Sequence, residues 1–133
     1  MSLIVDASVA VKWVAEEHGS SDARALGDGT EELIAPELVI AEVGNALWKK
    51  CRLHILDRAQ AARGLRQLPL LFHRLHSDAT LSERALEIAH DARHPIYDCF
   101  YIALAQQEDA PLITADDRQL AAARKAKVKV RRL

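Results

Sequence analysis

Four acidic side chains stand where chemistry could gather: Asp6, Glu42, Asp98 and Asp116, the last followed directly by Asp117. Asp6 ends the apolar run Leu3-Ile4-Val5, and Asp116 follows Leu112-Ile113-Thr114. Such runs read as buried strands, and in open parallel sheets ligands collect beyond the carboxyl ends of the strands. If the two strands are neighbours, their terminal carboxylates converge. Asp98 would join them from the first turn after His94-Pro95. Glu42 would join from the first half of a helix, flanked by the apolar Ala41 and Val43. Crowded carboxylates repel one another, and a divalent cation removes that conflict. Hard oxygen donors select Mg2+ or Mn2+ over softer metals.

The same residues admit a plainer reading. Asp6, Asp98 and Asp116 or Asp117 all fall at helix starts, where Asp caps free N–H groups and suits the helix dipole. Glu42 cannot be an N-cap. Its plain alternative is a solvated helix residue paired with Lys49 or Lys50. His90 and His94 are four apart, a spacing that can bind metal on a helix. The helix carrying His90 is expected to end near Ala92, so interaction with a helix dipole is preferred for this pair over ligation. No His stands beside a Ser or Cys as a nucleophile would require. Spacing alone does not choose between a metal site and a set of caps.

The elements that must position these acids alternate. After the strand 3–5, residues 7–16 read as a helix and 20–26 as a short one. Gly27-Asp28-Gly29 is a turn, and 32–35 is a strand closed by Pro36. The strongest helical signal covers 37–53, where Val39, Val43, Ala46 and Leu47 share a face. A helix over 57–68 opens at Asp57 and stops before Pro69. A third strand is expected from Leu70-Leu71-Phe72 to about Ser77-Asp78, then a helix from Thr80 or Ser82 to about Ala92. Residues 96–107 form another helix, with Tyr97, Tyr101, Leu104 and Ala105 near one stripe. After the strand 112–114, Asp116-Asp117 begins a helix to about Ala126, and Val128 and Val130 alternate with basic residues in a terminal strand. Strand–helix alternation predicts an α/β fold, three layers deep, with a short central parallel sheet, as a single domain over 1–133.

Composition bounds the rest. Apolar residues are 50% of 133, enough to bury a core without disulfides or structural zinc. No apolar run suits a membrane span, and an acid at position 6 excludes an ordinary secretion signal. Cys51 and Cys99 lie far apart, which suggests a reduced, cytoplasmic protein. The charge is uneven: residues 1–48 carry nine acids and two bases, whereas 118–133 carry seven bases and no acid. An acidic pocket beside a basic rim is permitted by this pattern. The basic tail could guide a phosphate backbone or simply solvate an edge strand. Trp13, Trp48, Phe72, Tyr97 and Tyr101 are assigned to packing, because aromatics are only 5% of the chain.

Four segments together resemble a PIN domain, specifically the VapC toxins of bacterial and archaeal toxin–antitoxin pairs. They are Leu3-Ile4-Val5-Asp6-Ala7-Ser8, the Glu-bearing helix from Pro36 to Leu47, Tyr97-Asp98-Cys99-Phe100-Tyr101-Ile102-Ala103-Leu104-Ala105, and Ala110-Pro111-Leu112-Ile113-Thr114-Ala115-Asp116. The resemblance implies an Mg2+- or Mn2+-dependent endoribonuclease. Asp6, Glu42, Asp98 and Asp116 match the family's acidic quartet, with Asp6 and Asp98 as the direct metal ligands. Ser8 and Thr114 match supporting residues, and Asp117 is an extra acid beside the fourth position. A metal-activated water would attack phosphorus, leaving a 5′-phosphate and a 3′-hydroxyl. Glu42 or Asp116 would orient that water or take its proton. The implied partners are RNA as substrate, a VapB-type antitoxin whose C-terminal segment wraps the groove, and a second copy of the chain in a homodimer. Alternatives are a nuclease for RNA processing or DNA, or a silent scaffold that binds a partner. Acids at all four matched positions count against the scaffold.

Overall fold

Leu3, Ile4 and Val5 are apolar at consecutive positions, the pattern of a strand covered on both faces. In the computed structural model, which describes residues 1–133, they form β1 (Ser2–Val5) and all three are fully buried. The chain continues through α1 (Ala7–Val14), α2 (Ser20–Ala25), β2 (Glu32–Pro36), α3 (Val39–Arg52), α4 (Arg58–Gln67) and β3 (Arg74–His76). It closes with α5 (Ser82–Ala92), α6 (Ile96–Glu108), β4 (Leu112–Thr114), α7 (Asp117–Lys125) and β5 (Val130–Arg132). The five strands pair in parallel in the order β3-β2-β1-β4-β5, with Ile4 opposite both Ile34 and Leu112. This is the three-layer α/β arrangement that the alternation predicts.

Successive strands run outward from β1 through β2 to β3, and the chain then returns past β1 to lay down β4 and β5. Right-handed crossovers therefore put α1 to α4 on one face and α5 to α7 on the other. The packing agrees. On the first face α1 meets α2, α3 and α4, whereas α6 lies between α5 and the strands β1, β2 and β4. Because the order reverses between β1 and β4, their carboxyl ends flank the crevice where such sheets bind ligands.

Local chemistry explains the boundaries. At α4, Asp57 Oδ1 accepts from the Gln60 N–H at 2.8 Å, and Gln60 Oε1 accepts from the Asp57 N–H at 2.9 Å, a reciprocal capping box. Helix α5 stops because Arg93 turns left-handed at φ 51°, and Pro95 then sets the entry to α6. Helix α6 buries Cys99, Tyr101, Ile102, Ala103, Leu104 and Ala105, whereas Tyr97 is 64% exposed and leaves the expected stripe.

The third strand departs from expectation. Leu68–Leu71 is a 3-10 turn initiated by Pro69, and pairing begins only at Arg74. Proline presets φ for such a turn and has no N–H to give a ladder. Leu70 is consequently 82% exposed. The last strand also starts late: Lys127 has φ 61°, and Val128 is buried as a core residue ahead of β5. Asp57→Ala removes half of the capping box on an otherwise polar helix. Its expected cost is about 1 kcal/mol of unfolding free energy, measured by urea denaturation, with the native far-UV spectrum retained.

Candidate active site

Asp6 follows the last residue of β1, and its N–H continues the ladder by donating to Ile113 of β4 at 3.0 Å. That pairing fixes its carboxylate at the switch point, where it is 4% exposed. Asp6 holds the N-cap position of α1, yet its Oδ2 is turned to two hydroxyls instead. Ser8 Oγ donates to it at 2.6 Å and Thr114 Oγ1 at 2.8 Å. The Ser8 hydroxyl also accepts from the Ala115 N–H at 3.0 Å, and Thr114 Oγ1 from the Asp116 N–H at 3.0 Å. The turn after β4 is thereby tied to the start of α1. The Ser8 and Thr114 hydroxyls thus both hold the same oxygen of Asp6, Oδ2.

The layers on either face supply two further acids. Asp98 enters from the first turn of α6, and its Oδ2 is bonded to His94 Nε2 at 2.6 Å. Its backbone carbonyl accepts from the buried Gln119 Nε2 of α7 at 3.0 Å. Glu42 enters from α3 and is half-buried, and its Oε1 accepts from Tyr101 Oη at 2.7 Å. Tyr101 is fully buried on α6, so this hydrogen bond spans the two helical layers around the end of the sheet.

The electrostatics follow from that crowding. Burial drives the Asp6 carboxyl above its ordinary pKa; the Ser8 and Thr114 hydroxyls pull it back, and the charge of Asp98 raises it again. Burial raises Glu42 from 4.5 to about 7 against the opposing Tyr101 hydrogen bond, and the charges of Asp6, Asp98 and Asp78 add to the rise. Burial and the charges of Glu42, Asp6 and Asp98 hold the Tyr101 phenol well above its usual value, so it remains a donor. Three carboxylates therefore share one field, and two of them bind protons more tightly than in water.

Asp116 and Asp117 behave differently. Asp116 is exposed, and its Oδ1 caps α7 by accepting from the Arg118 N–H at 2.8 Å. Its backbone N–H donates to Thr114 Oγ1, which in turn holds Asp6. Asp117 is exposed and ion-paired with Arg132. Of the four matched acids, the structure brings Asp6, Glu42 and Asp98 into one field and gives the Asp116 carboxylate a capping role. Glu42 is bonded to Tyr101, and the plainer pairing with Lys49 or Lys50 is absent; Lys50 instead holds Glu17 at 2.6 Å.

An oxygen-only donor set of like charges has the chemistry of a site for a hard dication. No three His, Cys, Asp or Glu side chains lie close enough to form a closed cage. Mg2+ does not need one, because it keeps several waters and is commonly held by one or two carboxylates. Asp6 and Asp98 are the pair that could hold such an ion, and their mutual repulsion is the term it would remove.

Two residues of the site escaped the sequence reading. Tyr101 was assigned to packing and does pack, but its hydroxyl also holds Glu42, 59 positions away. His94 was considered only with His90 or a helix dipole, whereas its partner is Asp98. The available signal was the four-residue spacing from His94 to Asp98 across Pro95, which places a His just outside the helix that begins with the acid.

Residues 3–125 match the model of the PIN domain family. Ribonuclease VapC3 of Pyrobaculum aerophilum is 37% identical over 124 residues, covering 91% of this chain and 93% of its own. Among solved structures, PAE2754 from the same organism superposes with a TM-score of 0.76 at 29% identity, covering 98% of this chain and 83% of its own. VapBC2 from Rickettsia felis, solved bound to a DNA fragment from its promoter, gives a TM-score of 0.64 at 12% identity. It covers 100% of this chain and 99% of its own, a likeness of fold.

The raised Glu42 pKa links stability to pH. The fold favours the protonated acid, so the stabilisation is complete below about pH 4.5 and is lost as pH rises through about 7. Glu42→Gln keeps an acceptor for Tyr101 and removes the charge. In metal-free buffer at pH 8 it should be more stable than the parent by about 1–2 kcal/mol, allowing for solvent screening of a half-buried group. The difference should vanish near pH 4. Denaturation curves across this range test it, and a constant offset at every pH would assign the titration to another group.

Proposed function

The chain belongs to the PIN domain family, and from that premise we propose that it is an Mg2+- or Mn2+-dependent endoribonuclease, the toxin of a VapBC-type pair. The observation that carries this reading is the shared field of Asp6, Glu42 and Asp98 at the sheet's switch point. A relative named ribonuclease VapC3, aligned over nearly all of both chains, supports RNA as the substrate.

Asp6 and Asp98 would hold the cation, and Ser8, Thr114 and His94 would orient the two carboxylates for it. When bound, the cation polarises a phosphoryl oxygen and acidifies a coordinated water. Ser8 and Thr114 keep Asp6 in its rotamer. Glu42, beside these two acids and held by Tyr101, would take the proton of the attacking water. Tyr101 occupies Glu42 Oε1, which leaves Oε2 to receive it. The attack would break the P–O3′ bond and leave a 5′-phosphate, the 3′ oxygen leaving as a hydroxyl with a proton from solvent. Asp116 acts through its backbone, by orienting Thr114 and starting α7.

The substrate would meet the basic C-terminal strand beside the acids. Arg132 lies opposite Thr114 in register, at the carboxyl edge of the sheet, and phosphate attraction there is independent of sequence. A VapB-type antitoxin would restrain the enzyme in the cytoplasm. The surface that suits its apolar segment is a cavity of about 830 Å³ between α3 and α4, lined by Trp48, Ile55, Leu56 and Leu65. Trp48 and Ile55 are 53% and 57% exposed. The VapBC2 neighbour supports a partner of this kind. The same apolar helices suit the proposed homodimer.

Protein purified free of any antitoxin should cleave RNA with Mg2+ or Mn2+ and stop with EDTA. Asp6→Asn and Asp98→Asn should each lower the rate at least ~100-fold, on the scale set by losing a metal's Lewis-acid contribution of several kcal/mol. Both should retain the native circular dichroism. Full cleavage by a folded Asp6→Asn variant, or in EDTA, would refute the mechanism.

A further inference from the structure

We propose that His94 is a positioning residue for Asp98, one that presets this carboxylate to receive a divalent cation; the inference rests on the metal-site reading above. Nε2 of His94 lies 2.6 Å from Asp98 Oδ2, a short, charge-assisted hydrogen bond. Because an ionised carboxylate can only accept, Nε2 is the donor in this contact. The bond occupies one oxygen and leaves the other for a ligand. It also restricts the Asp98 rotamer, which otherwise has freedom in the first turn of a helix.

The backbone is arranged to deliver this contact. Arg93 is left-handed, and the His94 N–H closes the end of α5 by donating to the Ala89 carbonyl at 3.1 Å. Pro95, at φ −55° and ψ 139°, then turns the chain into α6. His94 is thus fixed between the end of one helix and the start of the next, and its side chain is only 11% exposed. Asp98 is held from the opposite side as well, through Gln119 on its carbonyl. Asp6 is treated in the same way, with Oδ2 held by Ser8 and Thr114. Each of the two acids has one oxygen engaged by the protein, which is how outer-shell partners orient ligands for a metal.

The alternative is a structural clamp that joins α5 to α6 without affecting metal uptake. The two roles separate in a binding measurement. Mn2+ alone is titrated into the full chain at fixed pH, and the free ion is read by electron paramagnetic resonance. His94→Phe keeps a ring without a donor, and its Kd for Mn2+ should rise about 10–100-fold, the usual effect of losing an outer-shell partner. His94→Gln places an amide donor near the Nε2 position and should bind close to the parent. His94→Asn, whose amide falls short, should bind as weakly as the Phe variant. Should the Phe variant not fold, the Gln and Asn pair carries the test, with circular dichroism and Tm confirming the native state. If the parent binds Mn2+ and folded variants without the donor bind it equally tightly, His94 is a clamp and this inference falls alone. If the parent takes up no Mn2+, the metal-site reading falls with it.

Discussion

The structure depends on keeping the Asp6 carboxylate in a place that water scarcely reaches. Removing a carboxylate from water costs several kcal/mol even after relaxation. Two hydroxyl hydrogen bonds to an ionised group recover about 1.5–3 kcal/mol each. The balance is then disturbed by Asp98, whose charge raises the Asp6 pKa, while burial pushes the neighbouring Glu42 to about 7. A pocket in this state has a standing preference for positive charge, which either a proton or a hard cation can meet. Its proton affinity and its expected metal affinity have the same electrostatic source.

The fold creates that pocket by reversing its strand order. Asp6 stands at the centre of the sheet because β1 pairs with both β2 and β4. Glu42 and Asp98 come from helices in opposite layers, and the Tyr101 hydroxyl joins those layers just beyond the sheet. No single element could place all three acids. Fully buried apolar residues on β1, β4 and α6 fix the supporting backbone, so the cost of the charged cluster is carried by a core that does not itself titrate. Local electrostatic conflict inside a consistent core is the usual mark of a functional site.

Much of this was legible in the residues. Leu3-Ile4-Val5 and Leu112-Ile113-Thr114 announce buried strands, and strand–helix alternation implies the parallel sheet. Asp6 and Asp116 stand out because each follows a strand at the ligand side, and Asp98 and Glu42 because they can join from helices. What was not legible is where a side chain turns once it arrives. Asp6 and Asp116 look alike in sequence, each following a short apolar strand; the first faces two hydroxyls inside, the second caps its helix outside. That distinction depends on Thr114, whose hydroxyl donates to Asp6 while accepting from the Asp116 backbone. Likewise, Leu70-Leu71-Phe72 has strand composition, but Pro69 makes it a turn. The roles of Tyr101 and His94 are not legible in the sequence, because aromatic packing and helix-end dipoles account for such residues without any partner, and their partners become visible only in three dimensions.

The uneven charge of the sequence finds its meaning in the same topology. The acidic first third and the basic tail are two strands apart, because β5 pairs with β4 and β4 with β1. Two of the tail's cations are engaged locally: Arg131 forms a two-point ion pair with Glu31, and Arg132 pairs with Asp117. These pairs are solvent-exposed and contribute little to stability individually. Their effect is on placement. Arg131 faces the acidic start of β2, and Arg132 stays at the carboxyl edge of the sheet, level with Thr114. Side chains at neighbouring strand ends are about 5 Å apart, so two strands separate Arg132 from the Asp6 position by about 10 Å. At that edge Arg132 and its partner Asp117 are both exposed and Asp116 stands beside them, so the charge next to the buried acids is mixed in sign.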